Sequence, residues 1–122
     1  MKARWNDSER KIDSEQELMD VICLVKSVGE PTMVFLEHGN GRELVFGLGH
    51  PDSVLTFVDA DGATYHSVGN TDREGYIEFR CRDQVDQFFA EMAIPESLAV
   101  DAAREFFARA DRPAQVNWEP DW

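Results

Sequence analysis

Thr32-Met33-Val34-Phe35-Leu36-Glu37, His38-Gly39-Asn40-Gly41-Arg42 and Glu43-Leu44-Val45-Phe46-Gly47-Leu48 follow one another without interruption. The two flanks are rich in the β-branched and aromatic residues that suit a pleated, half-buried surface. Asn-Gly between them tolerates the positive φ angles of a tight turn, so the flanks are expected to be antiparallel neighbours. The pattern continues downstream. Residues 53–59 and 63–68 predict two more strands around the turn Ala60-Asp61-Gly62, and Gly49-His50-Pro51-Asp52 forms the preceding turn. Tyr76–Cys81 alternates, with Ile77, Phe79 and Cys81 on one face and Tyr76, Glu78 and Arg80 on the other. That is the mark of a strand buried on one side.

Outside this block the period changes. Ser14 followed by Glu17 is a capping-box pattern, and Leu18, Val21, Ile22 and Val25 then recur at helical spacing. Gly29 and Pro31 supply stop signals, which places a first helix over residues 15–27. A second is expected over 98–110, with Val100, Ala103, Phe107 and Ala110 lining one face and Phe106 beside them. Residues 2–6 and 115–118 read as short strands at either end. Residues 84–94 suit either a strand or a short helix, because Phe88, Phe89 and Met92 fit both periods. The fold class is therefore α+β: an antiparallel sheet of about five to six strands packed with two helices. At 122 residues, 43% of them hydrophobic, the chain is expected to form one domain, 1–122.

Charge narrows the function. There are 24 Asp and Glu against 12 Lys and Arg, a net −12 at pH 7. Such a balance disfavours nucleic acid and anionic membranes, which need a positive face, and favours a basic partner. The acids are also segregated. Residues 43–72 carry Glu43, Asp52, Asp59, Asp61 and Asp72 without a Lys or Arg; residues 83–103 carry Asp83, Asp86, Glu91, Glu96 and Asp101, again without one. Solubility does not require that partition, whereas a surface that meets a cationic partner would produce it.

No constellation for catalysis emerges. His38, His50 and His66 share no metal-ligand spacing. Asp59-Ala60-Asp61-Gly62 opens like a calcium loop, but position twelve is Asn70, not Glu. The glycines form no phosphate-binding loop. Cys81 alternates onto an apolar strand face, and Cys23 and Cys81 are expected to be buried, reduced thiols, as suits a cytoplasmic protein. Residues 1–11 lack the apolar core of a signal peptide, and no run reaches the ~20 apolar residues of a membrane span. No enzyme, metal or cofactor is expected.

The C-terminal residues carry a recognisable pattern. Ala102-Ala103-Arg104-Glu105-Phe106-Phe107-Ala108, then Arg112-Pro113, then Val116-Asn117-Trp118-Glu119 resembles the close of immunity protein family one, and Tyr65-His66-Ser67-Val68-Gly69-Asn70 is similar to an upstream segment of that family. The resemblance covers roughly residues 13–119. It implies a protein that binds and neutralises a cognate toxin in the producing cell, in a one-to-one complex. Several toxins partnered by the family are nucleic-acid deaminases. A toxin that grips nucleic acid needs a basic cleft, which an acidic inhibitor can occupy. An intracellular adaptor with an acidic docking face is the alternative. The partner-binding residues expected are the turn acids Asp52, Asp59, Asp61 and Asp72, the outward pair Tyr76 and Glu78, and Asp83, Asp86 and Glu91. Trp118, Phe106, Phe107 and Pro113 are expected in core and turn.

Overall fold

The computed structural model describes residues 1–121. Lys2–Trp5 (β1) and Ser8–Lys11 (β2) form a hairpin, and Glu15–Lys26 (α1) follows. Next come Thr32–Glu37 (β3), Glu43–Leu48 (β4), Asp52–Ser53 (β5), Leu55–Val58 (β6) and Thr64–Ser67 (β7). Tyr76–Cys81 (β8) and Gln84–Phe89 (β9) make a further hairpin. A short 3-10 turn at Ala90–Met92 leads to Ile94–Pro95 (β10), Glu96–Arg109 (α2) and Trp118–Pro120 (β11).

The main sheet has the order β11-β7-β6-β4-β3-β1-β2, with β8 joining β3 and carrying β9 as its outer neighbour. All pairings are antiparallel except a single parallel bridge of β3 to β8 at Thr32 and Arg80. β5 leaves the main sheet at Val54 to pair with β10, Ser53 opposite Ile94. The fold is α+β as expected, but among the described residues its main sheet holds nine strands, not five to six. The excess comes from edge strands: the short β2, and β9, whose period the sequence leaves open. β2 is Ser-Glu-Arg-Lys, exposed throughout, so it shows no alternation and is held by backbone pairing to β1. A charged edge of this kind also resists pairing with another chain.

Two cores lie on the two faces of the sheet, because side chains alternate along each strand. Val34, Leu36, Leu44, Phe46, Leu55 and Phe57 pack with α1 and α2. Met33 and Val45 point the other way and pack with Val54, Ile77 and Phe79, so the β8–β9 hairpin covers the sheet's second face. Gly47 makes that possible: a Cβ there would fall inside the ring of Phe79, which lies directly on the β4 backbone.

α1 begins where expected and ends one residue earlier, at Lys26, with Ser27 as its C-cap. Ser14 Oγ accepts from Glu17 N at 3.2 Å, and the Glu17 carboxylate accepts from Asp13 N at 3.3 Å. The α2 face is rotated slightly from expectation: Ala103 and Phe106 are buried as expected, Ala99 and Ala102 are buried beside them, and Val100 and Phe107 pack part-exposed at the margin of the core. Small alanines let the helix axis approach its neighbours closely, and Phe106 fills the remaining depth against Phe57, 6.2 Å between ring centroids. The helices run antiparallel, tied by Arg104–Glu15 at 2.7 Å and Lys26–Glu96 at 3.1 Å. Trp118 is half-buried, its indole N–H donating to Pro113 O at 2.8 Å, and Pro113 is buried. Both thiols are free, but Cys23 is exposed and Cys81 half-buried. Cys23 follows Ile22 on α1, one position past the buried stripe, which is why it faces outward. Among the described residues no helix is long and apolar enough to cross a membrane.

Candidate functional site

Register divides the expected site residues among three places. Glu43 opposite Val58 brings the β3–β4 and β6–β7 turns to one end of the sheet. Asp59 and Asp61 stand there. Asp59 does not reach outward freely: its carboxylate accepts from Arg42 Nε at 3.0 Å and from Ala60 N at 2.7 Å. The Arg42 hydrogen bond, helped by the Ala60 N–H, holds the Asp59 carboxyl below the usual range. Arg42 also donates to Ala110 O at 3.0 Å, so one guanidinium joins both turns to the C-terminus of α2, where a cation is electrostatically favoured. Asp61 is exposed and caps its own turn by accepting from Ala63 N at 2.9 Å. Next to them Glu43 is pushed up, first by burial and then by Glu37.

The second group lies at the opposite end, past the length of β4, roughly 17 Å at ~3.3 Å per residue. Asp52 sits at the start of β5 and accepts from Arg73 Nη1 at 2.8 Å, which fastens the 68–75 loop. Asp72 and Glu91 are exposed beside it. The loop is clamped by backbone: Gly69 N donates to Glu91 O at 2.8 Å and Ala90 N to Gly75 O at 2.9 Å. Gly69 has no room for a side chain, since a Cβ would collide with the Ala93 carbonyl. Tyr76 and Glu78 leave this loop on the outward face of β8, both exposed.

The third place is the far part of the β8–β9 hairpin. Asp83 is exposed at its tip, where neighbouring Arg82 takes a φ of 62° and reaches the β1–β2 turn. Asp86 pairs with Phe79 and therefore faces inward. It accepts from Gln84 Nε2 at 3.0 Å and stands near Cys81, whose thiol is pushed up to about 12 by burial and then by Asp86.

The two basic-free stretches are thus less bare in space than in sequence. Arg4, Arg73, Arg42, Lys26 and Arg104 come from outside to Glu43, Asp52, Asp59, Glu96 and Asp101. Asp61, Asp72, Asp83, Asp86 and Glu91 have no Lys or Arg within 4.0 Å among the described residues, nor do Glu74 and Glu78. Unpaired charge is concentrated on the 72–91 segment. This segment also carries the residue that sequence reasoning missed. Phe89 stands opposite Tyr76, ring centroids 5.5 Å apart, and both are exposed, 57% and 62%. The signal was the alternation Val85, Gln87, Phe89 against Asp86 and Phe88, obscured by two adjacent phenylalanines.

The histidines are spread over the molecule. His38 and His50 Nδ1 accept from Asn40 N and Asp52 N, and His66 lies 3.6 Å from Glu119. Among the described residues no three of His, Cys, Asp or Glu are grouped to hold a metal.

No curated protein matches the chain. A family model described as Immunity protein Imm1 matches residues 6–120 of the 122, taking in both helices, all three acidic places and the closing Trp118 strand. The chain therefore belongs to the Imm1 family of immunity proteins, whose role is to bind and inhibit a toxin.

Proposed function

We propose that this protein neutralises a basic, nucleic-acid-acting toxin, a deaminase, by covering the toxin's active site in a one-to-one complex within the cytoplasm. The observation that carries the reading is the unpaired acid concentrated at residues 72–91 on a protein of net −12. A nucleic-acid enzyme presents a cationic groove, and a negative surface both competes for it and is drawn to it. Asp52, Asp72, Tyr76, Glu78 and Glu91 form the main proposed contact region. Asp83 extends it along the hairpin, Asp86 supports it from beneath, and Asp59 and Asp61 add field from the far end. Protection against an enzyme that acts catalytically requires tight occupancy, with a Kd of about nanomolar or lower.

Co-expression tests this. The toxin domain encoded beside this chain is induced in a host with and without it. Survival with the protein, together with loss of nucleic-acid deamination in the purified mixture, is the expected result. Survival without binding, or binding that leaves deamination intact, would refute active-site occlusion.

A further inference from the structure

The described residues include five exposed large hydrophobics, and three of them, Tyr76, Val85 and Phe89, belong to the β8–β9 hairpin. The register places them on one side. Tyr76 is opposite Phe89, Glu78 opposite Gln87 and Arg80 opposite Val85, while Ile77, Phe79 and Phe88 turn to the core. An outward face with an exposed aromatic pair at its base loses free energy to water unless something covers it. The Tyr76 and Phe89 rings wall a shallow cleft of about 250 Å³ whose rim includes Arg73, Glu74 and Glu91. Arg73 is turned onto Asp52 at 2.8 Å, so the cation on this rim is already neutralised. Glu74 and Glu91 remain without a Lys or Arg partner among the described residues. Two aromatic faces with unpaired carboxylates at the rim complement a cation. Aromatic rings attract it through their quadrupole, and carboxylates accept its N–H groups.

We infer that the Tyr76–Phe89 cleft is the anchor of the toxin interface and takes an arginine side chain of the toxin. Its stem lies on the rings and its guanidinium meets Glu74 and Glu91. Arginine fits better than lysine because its planar fork can stack on a ring and bond a carboxylate twice. The inference rests on the immunity reading for the identity of the partner, but the cleft itself can be examined without a toxin.

The closing experiment has two arms. In the first, N-acetyl-arginine amide and its uncharged isostere N-acetyl-citrulline amide are titrated into the full chain, followed by NMR of backbone and aromatic resonances. The arginine probe should shift the Tyr76 and Phe89 ring signals saturably, and citrulline should not. Glu74→Gln with Glu91→Gln should abolish the response, while Tyr76→Phe should keep it. Equal responses to both probes, or an arginine response strongest at Asp59 and Asp61, would overturn the inference. In the second arm, Phe89→Ala and Tyr76→Ala are measured against the toxin domain. Each should weaken binding about 30-fold or more, as expected of an interface hot spot, with unchanged Ile77 and Phe88 signals showing an intact hairpin. Unchanged affinity would place the anchor elsewhere. A wild-type chain that fails to bind the toxin would refute the immunity reading, and the amide titration would still decide the cleft.

Discussion

Phe79 packs its ring directly against the backbone of Gly47, fully buried, at the one position on β4 where no side chain intervenes. This contact seats the β8–β9 hairpin, and with it Tyr76 and Phe89, on the sheet. Adding a methyl at Gly47 pushes into a ring that Met33, Val45 and Phe88 already surround. Overpacking of this kind costs about 1–3 kcal/mol. Gly47→Ala should therefore lower Tm and loosen the hairpin. Phe79→Leu in that background should recover part of the loss, since it withdraws the ring edge. Thermal unfolding of Gly47→Ala, Phe79→Leu alone and the double variant reads the coupling directly; additive losses would mean the two residues do not press on each other.

The Arg42–Asp59 bond gives a pH-dependent test. The folded Asp59 carboxyl lies below its ordinary 3.8, so its stabilisation is present above that value and lost as pH falls through the lower folded value. Asp59→Asn should lower Tm at neutral pH, and the gap should close in strongly acidic solution. A gap that stays constant at all pH values would assign the effect to turn geometry, not charge.

The two thiols should differ in reactivity. Cys23 is exposed on α1, whereas burial and Asp86 hold the Cys81 thiol up at about 12. The thiolate is the reactive species, so at mildly alkaline pH Cys81 presents almost none. Alkylation of the native protein should add one label, at Cys23, with Cys81 modified after unfolding. Peptide mass mapping checks this. Rapid labelling of Cys81 in native protein would mean that the hairpin opens readily.

β3 and β4 were legible to the residue as apolar runs rich in β-branched and aromatic residues, and β8 by its alternation, with turns of Gly, Pro, Asn or Asp between them. Other elements were hidden for identifiable reasons. β2 buries no side chain, so nothing in Ser8–Lys11 marks it as a strand. The α2 face was only partly legible: Ala103 and Phe106 are buried and Val100 and Phe107 pack at the margin of the core, but Ala99 and Ala102, too small to stand out in the sequence, sit at its centre. The acidity of the site was plain from composition. Its division between the two ends of the sheet was not, because that depends on distant partners. Arg73 reaches 21 residues back to Asp52, and Arg42 reaches 17 forward to Asp59.

That division leads to a kinetic separation. Exposed charges away from the contact act through the field, and raise the rate of encounter more than the lifetime of the complex. Asp61 stands unpaired at the end remote from the Tyr76–Phe89 cleft, about 17 Å along the strand direction at ~3.3 Å per residue. Asp59→Asn with Asp61→Asn should therefore slow toxin association at low salt while leaving dissociation nearly unchanged. Near 1 M salt, where the screening length falls to about 3 Å, the difference should vanish. Phe89→Ala should do the opposite. It removes packed contact, speeds dissociation, and persists at high salt, because most interface losses appear in the off-rate. Stopped-flow association and competitive dissociation at two ionic strengths separate the cases. A double Asn variant that speeds dissociation would bring the β6–β7 turn into the contact itself, and a wild-type association rate indifferent to salt would remove charge from the mechanism.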